Sequence, residues 1–237
     1  MKVEARRGES MNPQHNNLRT GDEIYQDLCE KIEKLEYMPG SKLSENELCK
    51  IYGTTRHVVR TALAKLKQQK LVDVFPQRGT FVSLIDMEYI EDILYMREAA
   101  EQEALARIME MENTSHIVEA LQNAVEAQKN LGQGTYYNTE FQELDNQLHH
   151  TLMEAVQKPN VMHLIEEPYI HIRRWRNYEV RSEKRMQEII KEHEAIIDAI
   201  AREDHVQGRL CLHQHLDTVS RYSKPLKEME SQYFTEG

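Results

Sequence analysis

One carboxylate and three imidazoles stand where helices could bring them together. In "LDNQLHHTL", Asp145 and His149 lie four residues apart, so both side chains project from the same face of one helix. In "KEHEAIIDAI", His193 stands beside an apolar stripe of Ile189, Ile190, Ile196, Ile197 and Ile200. In "CLHQHLDTV", Leu212, Leu216 and Val219 mark the inward face, and His215 borders it more closely than a surface position would. If these three helices share a bundle, an Asp/His3 set is a common way to build a divalent metal site. Taken singly, each histidine is more often a hydrogen-bonded core residue, and spacing alone leaves both readings open. His150 and His213 stand in the same stretches.

A second chemistry lies near the amino end. "YGTTRHVVRTALAKLKQQ" carries Arg56 and Arg60 four apart on a segment whose Val59, Ala62, Leu63 and Leu66 follow a helix period. With those four inward, Arg56, His57 and Arg60 lie on or beside the opposite, amino-terminal face. An arginine so placed can donate two hydrogen bonds to guanine O6 and N7 in the major groove. Thr55 and the first helical N–H groups can hold a backbone phosphate. The plain alternative is a solvated helix face, which most isolated helix arginines are.

The charge distribution supports the first reading. The chain of 237 residues carries a net charge of −10, yet residues 1–85 hold 14 Lys and Arg against 11 Asp and Glu, a net of +3. Residues 86–237 hold 16 against 29, a net of −13. Two modules with different partners account for this: one attracts phosphates locally and the other repels polyanions. No apolar run approaches the ~20 residues that span a bilayer, and the start "MKVEARRGESMNPQHNNLRT" has no apolar stretch of signal length. A cytosolic protein is expected, with its odd set of Cys29, Cys49 and Cys211 reduced and partly buried. No phosphate-cradling glycine loop, nucleophile elbow or well-placed general-base motif points to catalysis.

The elements that position these residues can be read in order. Asp22 caps a helix through Ile24, Leu28, Ile32 and Leu35, ending before "MPGS". Ser44 and Glu47 form a capping box for "ENELCKIY", Gly53 stops that helix, and Thr54 or Thr55 caps the next. Two helices joined by a tight glycine turn make a helix-turn-helix. "LVDVF" and "TFVSL", joined by "PQRG", read as a hairpin, so the module over residues 21–85 is a winged helix with Arg78 and Gly79 at the wing tip. Residues 1–20 read as a solvated tail. From Asp86 the pattern changes: "MEYIEDILYMREAAEQEALARIMEM" is one long helix, followed by amphipathic stretches at about 115–132, 136–156, 159–179, 183–203 and 205–223. Short connections make this an antiparallel bundle over 86–225, with residues 226–237 as a second tail. The fold class is mainly α.

"MPGSKLSENELCKIYGTTRHVVRTALAKLKQQKLVDVFPQRGTFV" closely resembles the winged helix-turn-helix of the GntR family of bacterial transcription regulators. The resemblance spans roughly residues 22–84. It implies DNA contacts by Thr55, Arg56, His57, Arg60 and Arg78, with Gly79 shaping the wing. Asn46 replaces a basic or glutamine residue frequent in the family, and His57 with Val58 replaces its usual Thr-Pro.

The bundle, through D-x-x-x-H, E-H-x-x-I-x-x-A-I and H-x-x-H-L, looks like the FCD domain of the FadR-type branch over roughly residues 88–225. That likeness implies a divalent metal, zinc, nickel or manganese, on Asp145, His149, His193 and His215, and a small organic acid effector beside it. Arg97 matches an arginine common in the first helix of such domains; an ion pair with Glu101 is an equal reading. Arg174 is the second effector candidate. The implied protein is a homodimeric, effector-controlled regulator bound to double-stranded operator DNA. Two alternatives remain at this level: a direct metal sensor and a metal-dependent hydrolase.

Overall fold

The computed structural model describes residues 19–131, 139–164 and 166–236. The tail expected over residues 1–20 lies outside them except for Arg19 and Thr20. Thr20, not Asp22, is the N-cap of α1 (Gly21–Glu33): its hydroxyl accepts from Glu23 N while the Glu23 carboxylate accepts from Thr20 N. Thr20 wins because its extended backbone leaves the side chain facing the free N–H groups, whereas Asp22 already lies in the first turn.

The reading module follows the expected order. After a two-residue strand β1 (Lys42–Leu43), α2 (Glu45–Tyr52) begins at Ser44 and ends at Gly53, whose φ of 59° is the left-handed turn conformation. Then comes α3 (Arg56–Gln68), with Val59, Ala62, Leu63 and Leu66 buried against Ile24, Leu28 and Ile32 of α1. The hairpin is β2 (Val72–Phe75) and β3 (Gly79–Val82). Strand β1 pairs with β3 as well, giving a three-stranded antiparallel sheet of order β1-β3-β2. Two residues carry too little alternation to announce a strand, so β1 was not legible in sequence.

The acidic part is α4 (Met87–Met109), α5 (Ser115–Asn130), α6 (Thr139–Ala155), α7 (Asn160–His163), α8 (Glu166–Glu179), α9 (Glu183–Ala201), α10 (His205–Leu216) and α11 (Thr218–Met229). Two stretches read as single helices are broken. The one at 159–179 divides into α7 and α8. The one at 205–223 breaks at Asp217, whose side chain caps α11 by accepting from Ser220 N. The stretch read from 136 is helical from Thr139, positions 136–138 lying outside the described residues.

The expected carboxyl-terminal tail is also corrected. Residues 226–237 include the end of α11 and a short 3-10 turn, and Phe234 is buried against Trp175 and Tyr178. Ile85 N donates to Tyr233 O and Thr235 N donates to Ile85 O, so this segment pairs with the linker between the two modules. An apolar residue at a linker gains a partner only when a distant segment returns, and local periodicity does not encode that.

Helix α8 fastens the modules together. Its Ile170 is buried in the apolar cluster of the reading module. His171 Nε2 donates to Gln69 O at 2.8 Å, directly after α3. Arg173 Nε meets Glu33 Oε2 at 2.9 Å, and Arg174 donates to both the side chain and the backbone oxygen of Ser83. Burial leads the causes that lower the His171 pKa to about 4, from an ordinary 6.5, so it is neutral at physiological pH. Because its folded pKa is depressed, the unfolded chain binds the extra proton first, and stability falls as pH drops from about 6.5 towards 4. We predict that His171→Leu costs about 1 kcal/mol at pH 7.5 through the lost bond to Gln69. It should also flatten the decline in melting temperature between pH 6.5 and 4, as followed by circular dichroism of wild type and variant across that range.

Candidate metal centre and nucleic-acid interface

The inward faces of α6, α9 and α10 bring Asp145, His149, His193 and His215 together. All four are buried, at 1% exposure or less, and each offers one ligand atom within 4.8 Å of the others. His149 Nε2 and His215 Nε2 are 3.1 Å apart, and His193 Nε2 lies 3.3 Å from Asp145 Oδ1. Metal–ligand bonds of about 2.0–2.2 Å place ligand atoms roughly 3 to 4.4 Å apart, so the cluster needs only a small contraction to hold one ion.

The outward nitrogens decide how the inward ones behave. His149 Nδ1 meets Glu101 Oε2 at 2.7 Å, His193 Nδ1 meets Gln128 Oε1 at 2.9 Å, and His215 Nδ1 meets Glu192 Oε2 at 3.1 Å. Burial alone would raise the two glutamates, but His149 and Arg97 draw Glu101 down to about 2, and His215 and Arg185 do the same for Glu192. Both are ionised acceptors, so Nδ1 of His149 and of His215 carries the proton and Nε2 carries a lone pair. The Gln128 side chain holds the His193 ring from behind in the same way.

Burial and neighbouring positive charge lower His149 and hold His215 well below the usual imidazole value, so both are neutral. Asp145 would be raised by burial, but His193, His149 and Arg176 outweigh it and hold its carboxyl well below its ordinary range. The protein alone therefore turns the Nε2 lone pairs of His149 and His215, together with His193 Nε2 and the Asp145 carboxylate, toward one point. Asp145 Oδ1 and His193 Nε2 are buried without a hydrogen-bond partner. Such a constellation is costly unless a cation occupies it, and these residues fit a divalent ion of borderline softness.

The sequence singled out the four residues that the structure gathers, Asp145, His149, His193 and His215, but not Glu101, Gln128 and Glu192 behind them. A signal existed: Glu101, with Arg97, and Gln128 interrupt the buried apolar stripes of α4 and α5, where a polar residue needs a buried partner. Arg97 forms the expected ion pair, Nε to Glu101 Oε1 at 2.6 Å, and its Nη2 is buried without a partner. Arg174, the second effector candidate, lies apart from the cluster. Its guanidinium is committed to Ser83 at the junction between modules, and burial lowers its pKa to about 10. Arg176, one turn-half further along α8, is the arginine whose charge bears on Asp145 and His215. A crowded R-R-x-R run does not reveal which member faces inward.

On the reading module, Thr55, Arg56, His57, Arg60 and Arg78 are all exposed, on the α3 N-terminus and the hairpin tip. Thr55 occupies the N-cap without a capping bond, which leaves its hydroxyl and the first N–H groups of α3 facing outward. Arg60 Nε contacts both Glu45 carboxylate oxygens at 3.0 Å, and the Arg78 guanidinium lies 5.3 Å from the Phe75 ring centre. Gly79 has a φ of 113°, and a Cβ there would approach Lys42 Cε at 3.1 Å, so the wing's turn favours glycine.

Comparison with known proteins settles the lineage. Residues 20–82 match the family of bacterial regulatory proteins named gntR, and residues 92–218 match the FCD domain. An uncharacterised HTH-type transcriptional regulator from an unstable DNA locus of Streptomyces ambofaciens is 31% identical over 87% of this chain and 86% of its own length. The chain belongs to the GntR family, in its FCD-bearing branch. It is a DNA-binding transcription regulator, and the hydrolase alternative falls with that assignment. The HTH-type transcriptional repressor RspR of Escherichia coli K12 is 25% identical over 90% of this chain and 93% of its own. A GntR regulator structure from Rhodococcus sp. RHA1 shares the fold with a TM-score of 0.61, at 20% identity over 85% of this chain and 95% of that one. No helix among the described residues is long and apolar enough to cross a membrane.

The geometry makes a direct prediction. Chelator-stripped protein should take up one zinc, nickel or manganese ion per chain with a rise in melting temperature. Asp145→Asn with His193→Ala should abolish uptake. Glu101→Gln should weaken it roughly 10- to 100-fold by loosening the His149 tautomer. Isothermal titration calorimetry on each variant measures this.

Proposed function

We propose that this regulator grips operator DNA as a homodimer and that a small organic acid, bound beside a divalent ion in the FCD domain, sets its affinity. The ion would be held by Asp145, His149, His193 and His215, with zinc, nickel or manganese suited to the donors. The observation that carries the reading is the common orientation of the three Nε2 atoms, each ring held from behind at Nδ1. The ion would supply a positive centre for a carboxylate. Arg97, with its unpartnered buried Nη2, is the guanidinium placed to share that charge, and Arg176 adds to the positive field.

On the DNA side, Thr55 and the α3 N-terminus receive a phosphate, Arg56, His57 and Arg60 face base edges in the major groove, and Arg78 beside Gly79 follows the backbone at the wing. Two copies related by a two-fold axis would place paired recognition helices about one DNA turn apart, and any change in their separation alters affinity. Such a protein works in the cytoplasm, where its DNA lies. The complete burial of the ligand set favours a resident ion with an exchanging effector over direct metal sensing.

The test is operator binding by fluorescence anisotropy, on a duplex selected by the wild-type protein from a random pool. Small carboxylates and sugar acids are screened with and without chelator, and ligand response that survives chelation would remove the metal from the account. In the same assay, Arg60→Ala should weaken the selected duplex roughly ten- to a hundredfold. Glu45→Gln, which releases Arg60 from its exposed ion pair, should tighten it by about a few fold. An unchanged Arg60→Ala variant would refute the base contact.

A further inference from the structure

The buried polar residues behind the metal cluster lead out of it in one direction. Glu101 bridges: its Oε2 faces His149 Nδ1 at 2.7 Å and its Oε1 faces Arg97 Nε at 2.6 Å. Arg97 Nη1 donates in turn to the hydroxyl of Tyr169, whose ring centre lies 5.0 Å from the guanidinium carbon. Tyr169 is buried on the bundle side near the start of α8. The next two residues belong to the other module: Ile170 is packed in the core formed by α1 and α3, and His171 holds the backbone oxygen of Gln69, the residue that ends α3. Arg173 on Glu33 ties the same helix to the end of α1.

We infer that Tyr169 is a coupling residue: it transmits displacement of Arg97 and Glu101, caused by occupation of the metal site, through α8 to the carboxyl end of the recognition helix. This rests on the metal reading proposed above and names how that site is heard by the DNA-binding module. Three physical features carry it. Every link from His149 to Tyr169 is a charged or charge-assisted hydrogen bond buried from water, where small shifts of a partner are costly and so are passed on rather than absorbed. The receiving element is a single helix, stiff over the one turn that separates Tyr169 from Arg173. The output is the C-cap of α3 itself, so a movement of His171 tilts the helix that carries Arg56 and Arg60.

The chain of contacts also predicts competition. Arg97 has one bonded and one free terminal nitrogen, and an anion recruited to the ion would draw the fork away from Tyr169. Loss of that bond frees the start of α8 and relaxes the junction. Tyr169 is not among the four residues that would hold the ion and lies on α8 rather than on the DNA face, so its removal should separate sensing from reading.

The test uses full-length wild type and Tyr169→Phe, stripped by chelator and then given zinc alone. Metal affinity is read by calorimetry, and docking of the α3 end by hydrogen exchange of the amides of residues 69–71, which close the last turn on Lys65, Leu66 and Lys67. In wild type, zinc should slow exchange of these amides about fivefold or more, the lower range of ordinary coupling. Tyr169→Phe should bind zinc within about threefold of wild-type affinity, with the α3 amides no longer responding. His171→Leu, cutting the output end, should likewise bind zinc but lose the response. If the α3 amides of Tyr169→Phe still respond as in wild type, or if wild type binds zinc without any response there, the relay is wrong while the metal centre stands. If wild type binds no zinc, the metal reading falls and takes the relay's input with it.

Discussion

Three imidazoles held from behind at Nδ1 are the constraint on which the bundle depends. Glu101, Gln128 and Glu192 come from α4, α5 and α9, so fixing three rings also fixes three helices around α6 and α10. The arrangement is unstable on its own terms: it leaves two nitrogen lone pairs 3.1 Å apart and a carboxylate oxygen unpartnered in a water-free interior. A structure that maintains such a cluster has a cation as its natural complement. The surrounding apolar residues, Leu148, Leu152, Ile189, Ile196, Ile197 and Leu212 among them, supply burial that offsets the cost of gathering these polar groups.

The same physics gives the two halves of the molecule their division of labour. The reading module is small, slightly basic and built on one apolar cluster; the bundle is large, acidic and built around polar groups. Between them, α8 contributes to both. Its alternating commitments, Tyr169 inward, Ile170 and His171 toward the reading module, Arg174 to Ser83 and Trp175 to Thr218, leave little room for the helix to move without moving its neighbours. The return of Phe234 to Ile85 closes the same junction from the other side. Positions that read as a tail in sequence are thus part of the junction.

Much of this was legible in the sequence, for reasons that differ by element. The helices of the reading module announce themselves by Ile24, Leu28 and Ile32 and by Val59, Ala62, Leu63 and Leu66, because a small domain must bury each helix on one face. Asp145 and His149 were legible because i,i+4 spacing guarantees a shared face, and His193 and His215 because they interrupt apolar stripes. The N-cap at Thr20, strand β1, the end of α7 at His163, the break at Asp217, and the docked carboxyl end were not, since each depends on a tertiary partner or a two-residue feature. Arg174 and Arg176 show the limit most clearly: two arginines two residues apart face different modules, and only the rotation of α8 decides which meets the metal cluster.

The central claim is that Asp145, His149, His193 and His215 surround an ion. It is tested most directly by anomalous diffraction from crystals of metal-loaded protein, collected on both sides of the metal's absorption edge. The account predicts a single strong peak per chain, about 2.0–2.2 Å from an Asp145 carboxylate oxygen and the three Nε2 atoms. A map without a peak there, or with the peak on His150 or His213 instead, would contradict it.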